Sequence, residues 1–156
     1  MSRGAEARQP LSVEEVGERP AGKREYTIRL KVRRYEVDSF GHVNNAVYLN
    51  WMEQCAVEHA DSLGLTVERM RELGGVFIVR HHDVTYHRPA QAGDELDVTT
   101  RITSLGKVRA VRENTIRHAH TGELLVEGRT EWAWIRWSDL RPAPIPREVH
   151  ETFPEE

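Results

Sequence analysis

From Tyr26 the chain alternates apolar and polar residues: Tyr26, Ile28, Leu30 and Val32 are interleaved with Thr27, Arg29, Lys31 and Arg33. A period of two predicts a strand with one face buried. After a loop through Asp38 and Gly41 the period lengthens. Tyr48, Met52, Cys55, Ala56, His59 and Leu63 recur at spacings of three and four, which predicts a helix over 45–63, roughly 28 Å long. Asn44 or Asn45 can cap its start, and Gly64 suits a left-handed stop. A shorter helix over 66–73 ends at Gly74 and Gly75. Beyond it every segment reads as strand: 76–88, then Leu96, Val98, Thr100 and Ile102 in alternation, then 108–118 and 124–137, separated by turn signals at Pro89, Gly93, Gly106 and Gly122. One strand, one long helix, one short helix and four hairpin-connected strands predict an α+β layer with the helix on one face of an antiparallel sheet.

Residues 1–25 contain few large apolar side chains, two prolines and three glycines, so they are expected to be a flexible arm. At the other end, the prolines at 142, 144 and 146 cannot donate to a ladder and should carry the chain off the sheet as a strap. The expected organisation is an arm over 1–25, one domain over 26–146 and an acidic tail over 147–156.

Charge sharpens this division. The formal charge of −3 on 156 residues is not spread evenly: 1–25 carries five basic and five acidic residues, 26–138 fifteen of each, and 139–156 two against five. A neutral body argues against nucleic acid as partner. Within it, Arg101, Lys107, Arg109, Arg112 and Arg117 face only Glu113, a local excess of +4. Cys55 stands alone, and neither an apolar leader nor a run of 18 apolar residues occurs, so the expectation is a soluble cytoplasmic protein with no membrane partner.

The stretch with most chemistry is 35–45, Tyr-Glu-Val-Asp-Ser-Phe-Gly-His-Val-Asn-Asn, running into the long helix. It places Asp38 seven residues before the first helical turn, where free N–H groups and the positive end of the helix dipole converge. An ionised aspartate there can attack an acyl carbon or activate a water. The same residues also suit a plain structural role, with Asp38 capping a turn and Asn44 or Asn45 capping the helix. Spacing leaves both readings open.

The motif Asp38-x-x-Gly41-His42-Val43-Asn44-Asn45-x-x-Tyr48, with Tyr86-x-x-Pro89-Ala90, Gly93-Asp94 and Arg141-Pro142 further on, resembles the hotdog-fold acyl-CoA thioesterases of the 4-hydroxybenzoyl-CoA thioesterase type. The resemblance implies a five-stranded antiparallel sheet wrapped around the helix, a homodimer with a continuous sheet that often pairs into a homotetramer, and active sites at the dimer interface. It implies Asp38 as the catalytic carboxylate, either nucleophile or general base, and Asn45 as the residue whose backbone N–H polarises the thioester carbonyl. Gly41, His42, Val43 and Tyr48 would shape the substrate site, and Lys107 and Arg109, at the turn between the third and fourth strands, would contact coenzyme A phosphates. No resident cofactor is implied; coenzyme A arrives as part of the substrate.

Two other functions share the pattern: a thioesterase acting on acyl carrier protein, and a non-catalytic module that binds acyl-CoA. Metal is not expected, since His81 and His82 are adjacent strand residues on opposite faces and no helical His-Glu-x-x-His or paired-cysteine spacing occurs. Cys55 and the tryptophans at 132, 134 and 137 are expected to pack, and Glu53 to serve structure or substrate orientation.

Overall fold

The computed structural model describes residues 23–156. Most of the expected arm therefore lies outside the described residues. Strand β1 (Glu25–Lys31) leads through a 3-10 turn (Arg34–Glu36) and a loop to helix α1 (Asn45–Ser62). Helix α2 (Val67–Glu72) and strands β2 (Gly75–Tyr86), β3 (Glu95–Leu105), β4 (Arg109–His118) and β5 (Leu124–Arg136) follow, and helix α3 (Arg147–Thr152) closes the chain. The five strands form one sheet in the order β1-β3-β4-β5-β2, antiparallel at every pairing. This is the five-stranded antiparallel sheet and long helix that the sequence predicts.

Helix α1 buries Tyr48, Trp51, Met52, Cys55, Ala56, His59 and Ala60, a stripe at alternating spacings of three and one. The stripe lies on the sheet face formed by Ile28 and Leu30 of β1, Leu96 and Val98 of β3, Ile116 of β4 and Val126 of β5. Breaks in register at Val79/His81, Ile102/Ser104 and Ile116/Arg117 bend the strands around the helix. Close approach of helix and sheet is possible because residue 128 is glycine; a Cβ there would meet the Met52 Sδ at 3.3 Å. Cys55 packs as expected, with its thiol against the Val98 carbonyl at 3.3 Å and its pKa pushed up to about 12 by burial.

The apolar interior forms two clusters. One gathers around the first half of α1; the other joins Ala60, Leu65, Ile102 and Trp134 to Ala143, Ile145, Val149 and Phe153. Between them on the sheet face sit the buried polar side chains Thr100, Arg112, Asn114 and Thr130. The second cluster changes the expected end of the domain. Residues after 146 do not detach as an acidic tail: α3 folds back, Val149 and Phe153 are buried, and Arg69 of α2 forms an ion pair with Glu148. Two apolar residues four apart in an otherwise charged stretch are a weak sequence signal, yet in a short helix they share one face. Of the tryptophans, Trp134 is core, Trp132 is half-buried, and Trp137 is exposed beneath the Arg71 guanidinium, 4.4 Å from its ring.

Because Phe153 is part of the core, Phe153→Ala should lower unfolding free energy by about 3–5 kcal/mol in urea titrations, the cost of truncating a buried aromatic. A loose tail would show no loss.

Candidate active site

The loop before α1 is closed by its own backbone. Val37 and Val43 form an antiparallel bridge, Asp38 N–H donates to the His42 carbonyl at 2.7 Å, and Gly41 N–H donates to the Asp38 carbonyl at 3.0 Å. Gly41 has φ +82°, a left-handed conformation that costs glycine little and other residues more. The Asp38 carboxylate enters the same turn: its Oδ1 accepts from Phe40 N–H at 2.8 Å and His42 N–H at 3.1 Å. Its Oδ2 makes no hydrogen bond among the described residues. The turn-capping and chemical readings of Asp38 thus fall on different oxygens of one side chain.

Asn44, not Asn45, caps α1, its Oδ1 accepting from Ala46 N–H at 3.1 Å. Asn45 is the first helical residue. Its N–H makes no bond to another described residue, while its carbonyl accepts from the Tyr86 hydroxyl at 3.1 Å. Deeper in, Glu36 is buried and anchors the loop from below; its carboxylate accepts from Arg33 N–H at 2.8 Å and Trp51 Nε1 at 3.3 Å, and its carbonyl accepts from Asn44 N–H. The buried Tyr48 hydroxyl accepts from Ala90 N–H at 2.9 Å, tying α1 to the segment that follows β2.

Around this frame opens a cleft of about 300 Å³ lined by Asp38, His42, Val43, Asn45, Tyr48 and Tyr86, with His87, Arg88 and Pro89 on its far wall. Gly41 shapes the loop from outside this lining, and His42 holds it through backbone groups, with a bridge to Gln91. His87 and Arg88 went unassigned in the sequence; each is held by a carboxylate, Glu127 at 2.6 Å and Glu123 at 3.0 Å. The only sequence sign of them was their position between Tyr86 and Pro89. Glu53 is not in the lining of this cleft and meets His82 at 3.3 Å.

Lys107 and Arg109 are not in this cleft. The register pairs Arg109 with Ala133, Ala133 with Ile78, and Tyr86 with Val126. The β3–β4 turn therefore lies beside the start of β2, eight residues or roughly 26 Å along the strand from Tyr86. The local +4 is also not one surface. Arg112 points into the interior, Arg109 contacts Glu131 at 3.3 Å, and Arg101 lies opposite Glu113.

Comparison with known proteins bears directly on this geometry. Residues 32–153, which hold the loop, α1 and the whole sheet beyond β1, match the model of the thioesterase-like superfamily. The chain belongs to that family. The thioesterase is 32% identical over 128 residues to the acyl-acyl carrier protein thioesterase ATL2, chloroplastic, of Arabidopsis thaliana, covering 82% of this chain and 68% of that one. It is 25% identical to the long-chain acyl-CoA thioesterase FadM of Escherichia coli, over 79% of this chain and 92% of FadM. A thioesterase from Thermus thermophilus, solved with coenzyme A and zinc, superposes with a TM-score of 0.69 at 31% identity, over 81% of this chain and 90% of that one. The protein is a thioester hydrolase of hotdog fold.

Tyr48→Phe tests the frame of the cleft in this thioesterase. It strands the buried Ala90 N–H and should lower stability by about 1–3 kcal/mol in urea titrations, with no change in α1 helicity by circular dichroism.

Proposed function

We propose that the protein hydrolyses acyl-CoA thioesters to the free acid and coenzyme A, with Asp38 as the reacting carboxylate and the Asn45 N–H as the oxyanion donor. One observation carries this reading: Asp38 is locked by Oδ1 while Oδ2 makes no hydrogen bond to a described residue, in a cleft that also contains the first turn of α1. In the general-base route Oδ2 takes a proton from water as the water oxygen attacks the acyl carbon. The carbonyl oxygen gains negative charge against the Asn45 N–H, and collapse expels the thiolate, which takes up a proton. In the nucleophilic route Oδ2 attacks first, the thiolate leaves, and water cleaves the resulting anhydride. Both need the same donor, whose contribution in other enzymes is about 3 kcal/mol.

The chain works here as a homodimer joined along β2. That strand is a sheet edge, paired with β5 on one side, whose outward N–H and C=O groups have no strand neighbour among the described residues, and it exposes Ile78 and Tyr86, with Phe40 exposed on the nearby loop. A two-fold pairing of β2 with its copy is antiparallel, so it sets the start of one β2 beside the end of the other. The partner's β3–β4 turn then approaches this chain's cleft, which gives Lys107 and Arg109 a route to coenzyme A phosphates. A carrier-protein substrate is the second reading, favoured by the identity to ATL2.

Thiol release from short, long and aromatic acyl-CoAs and from acyl carrier protein should show turnover highest on a coenzyme A ester. Asp38→Asn should reduce kcat by at least about a hundredfold with the fold intact; full activity in that variant rejects the mechanism, and turnover confined to carrier-bound chains selects the second reading.

Lys107→Ala and Arg109→Ala should raise KM for acyl-CoA several-fold with kcat little changed. Mixed dimers of Asp38→Asn and Arg109→Ala chains should regain low-KM turnover, because one of their two sites then combines an intact Asp38 with the other chain's intact Arg109. Failure to regain it places both residues in one chain's site.

A further inference from the structure

A second cavity, of about 100 Å³, opens at the other end of α1 and bears no part in the proposed chemistry. Its walls are apolar: Ala60, Leu65, Met70, Phe77, Trp132 and Phe153 are among them. Ala56 to Ala60 lie at least 11 residues along α1 from Asn45, about 16 Å or more. Arg112 stands in this lining although it is only 7% exposed. Its Nη1 donates to His59 Nδ1 at 2.9 Å and to Thr100 Oγ1 at 3.2 Å. His59 Nε2 meets the Lys23 carbonyl at 2.6 Å, which requires the proton on Nε2 and leaves Nδ1 as acceptor, so the imidazole facing Arg112 is neutral.

Among the described residues Arg112 has no carboxylate partner, and its Nε and Nη2 donors have no acceptor. Burial draws its pKa down to about 10, which still leaves it charged at neutral pH. The buried Trp132 Nε1–H, in the same lining, also has no acceptor. Asp61 is the carboxylate in this lining; it is exposed, and partial desolvation together with Glu68 raises its pKa. A buried cation without counter-charge is costly, and the buried, unmet Trp132 N–H adds to that cost.

We propose that this cavity is a second binding site, which takes an apolar monocarboxylate with its carboxylate on Arg112 and its chain against Leu65, Met70 and Phe77. Such an acid is the product class of acyl-thioester hydrolysis; that source rests on the thioesterase reading, whereas the chemistry of the site does not. Bound acid satisfies the guanidinium and the apolar wall together, which neither chloride nor a neutral hydrocarbon does.

Isothermal titration of the full chain at pH 7.5 with hexanoate and with hexan-1-ol tests this. Hexanoate should bind at least about tenfold more tightly than the alcohol, the worth of one charge-assisted hydrogen bond. Arg112→Gln should erase that preference while the alcohol still binds. Met70→Trp, which fills the cavity and leaves Arg112 in place, should abolish binding of both and decides the matter if Arg112→Gln does not fold. Equal affinities in the wild type, absence of hexanoate binding, or hexanoate binding unchanged in Met70→Trp overturns the proposal. None of these readings needs turnover: a protein that hydrolyses no thioester yet shows the Arg112-dependent preference loses only the proposed function, and an active enzyme without the preference loses only this site.

Discussion

At position 128 of β5 the sheet carries no side chain, and Met52 of α1 occupies the space. A Cβ there would sit 3.2 Å from Val84 Cγ2 and 3.3 Å from the Met52 Sδ and Cε, closer than nearly all real contacts of that kind. The depth at which α1 lies on the sheet is set at this point. Everything at the start of the helix inherits that depth: the Tyr48 hydroxyl reaches Ala90 N–H, the Tyr86 hydroxyl reaches the Asn45 carbonyl, and Trp51 reaches Glu36. A helix lifted by the width of one methyl group would break these three contacts together, and with them the alignment of Asp38 and the first helical turn. Packing of helix on sheet thus underlies the contacts that hold Asp38 and the first helical turn in register.

The loop itself resists deformation for a different reason. Its shape is written in backbone hydrogen bonds, with one glycine at positive φ and one carboxylate oxygen spent on two N–H groups. Such a turn is assembled during folding, so the orientation of Asp38 is fixed by the fold itself. The tip of the loop, Ser39 and Phe40, is exposed, so the side chains there take no part in holding the turn.

Much of this was readable from residue order. Alternation identified β1 and β3, the three-and-four spacing of Tyr48, Met52, Cys55 and His59 identified α1, and the 38–45 motif identified the loop. What escaped the sequence was contact across long separations. Arg112 counts as one more basic residue in a string, and only strand register shows that it shares the inward face with Ala110, Asn114 and Ile116. The resemblance gives Lys107 and Arg109 a part in holding coenzyme A, yet in their own chain they lie about eight strand residues from Tyr86 at the cleft. Residues 147–156 read as acidic because charges outnumber apolar groups, although burial of Val149 and Phe153 decides their place. Local periodicity reports which face a residue occupies; it does not report what another part of the chain brings to that face.

The polar layer between the two apolar clusters sets limits on how the molecule loosens. Thr100, Arg112, Asn114 and Thr130 interrupt the sheet face between a half built on α1, β1 and the sheet centre and a half closed by α2 and α3, helices of six residues each. Short helices detach at lower cost than central strands, so the two halves form units expected to differ in their resistance to opening, a difference that amide exchange would read. The weaker unit covers the Arg112 cavity and the stronger one carries the Asp38 loop. Breathing of α2 and α3 would then admit solvent or solute to one end of α1 and leave the geometry at the other end undisturbed.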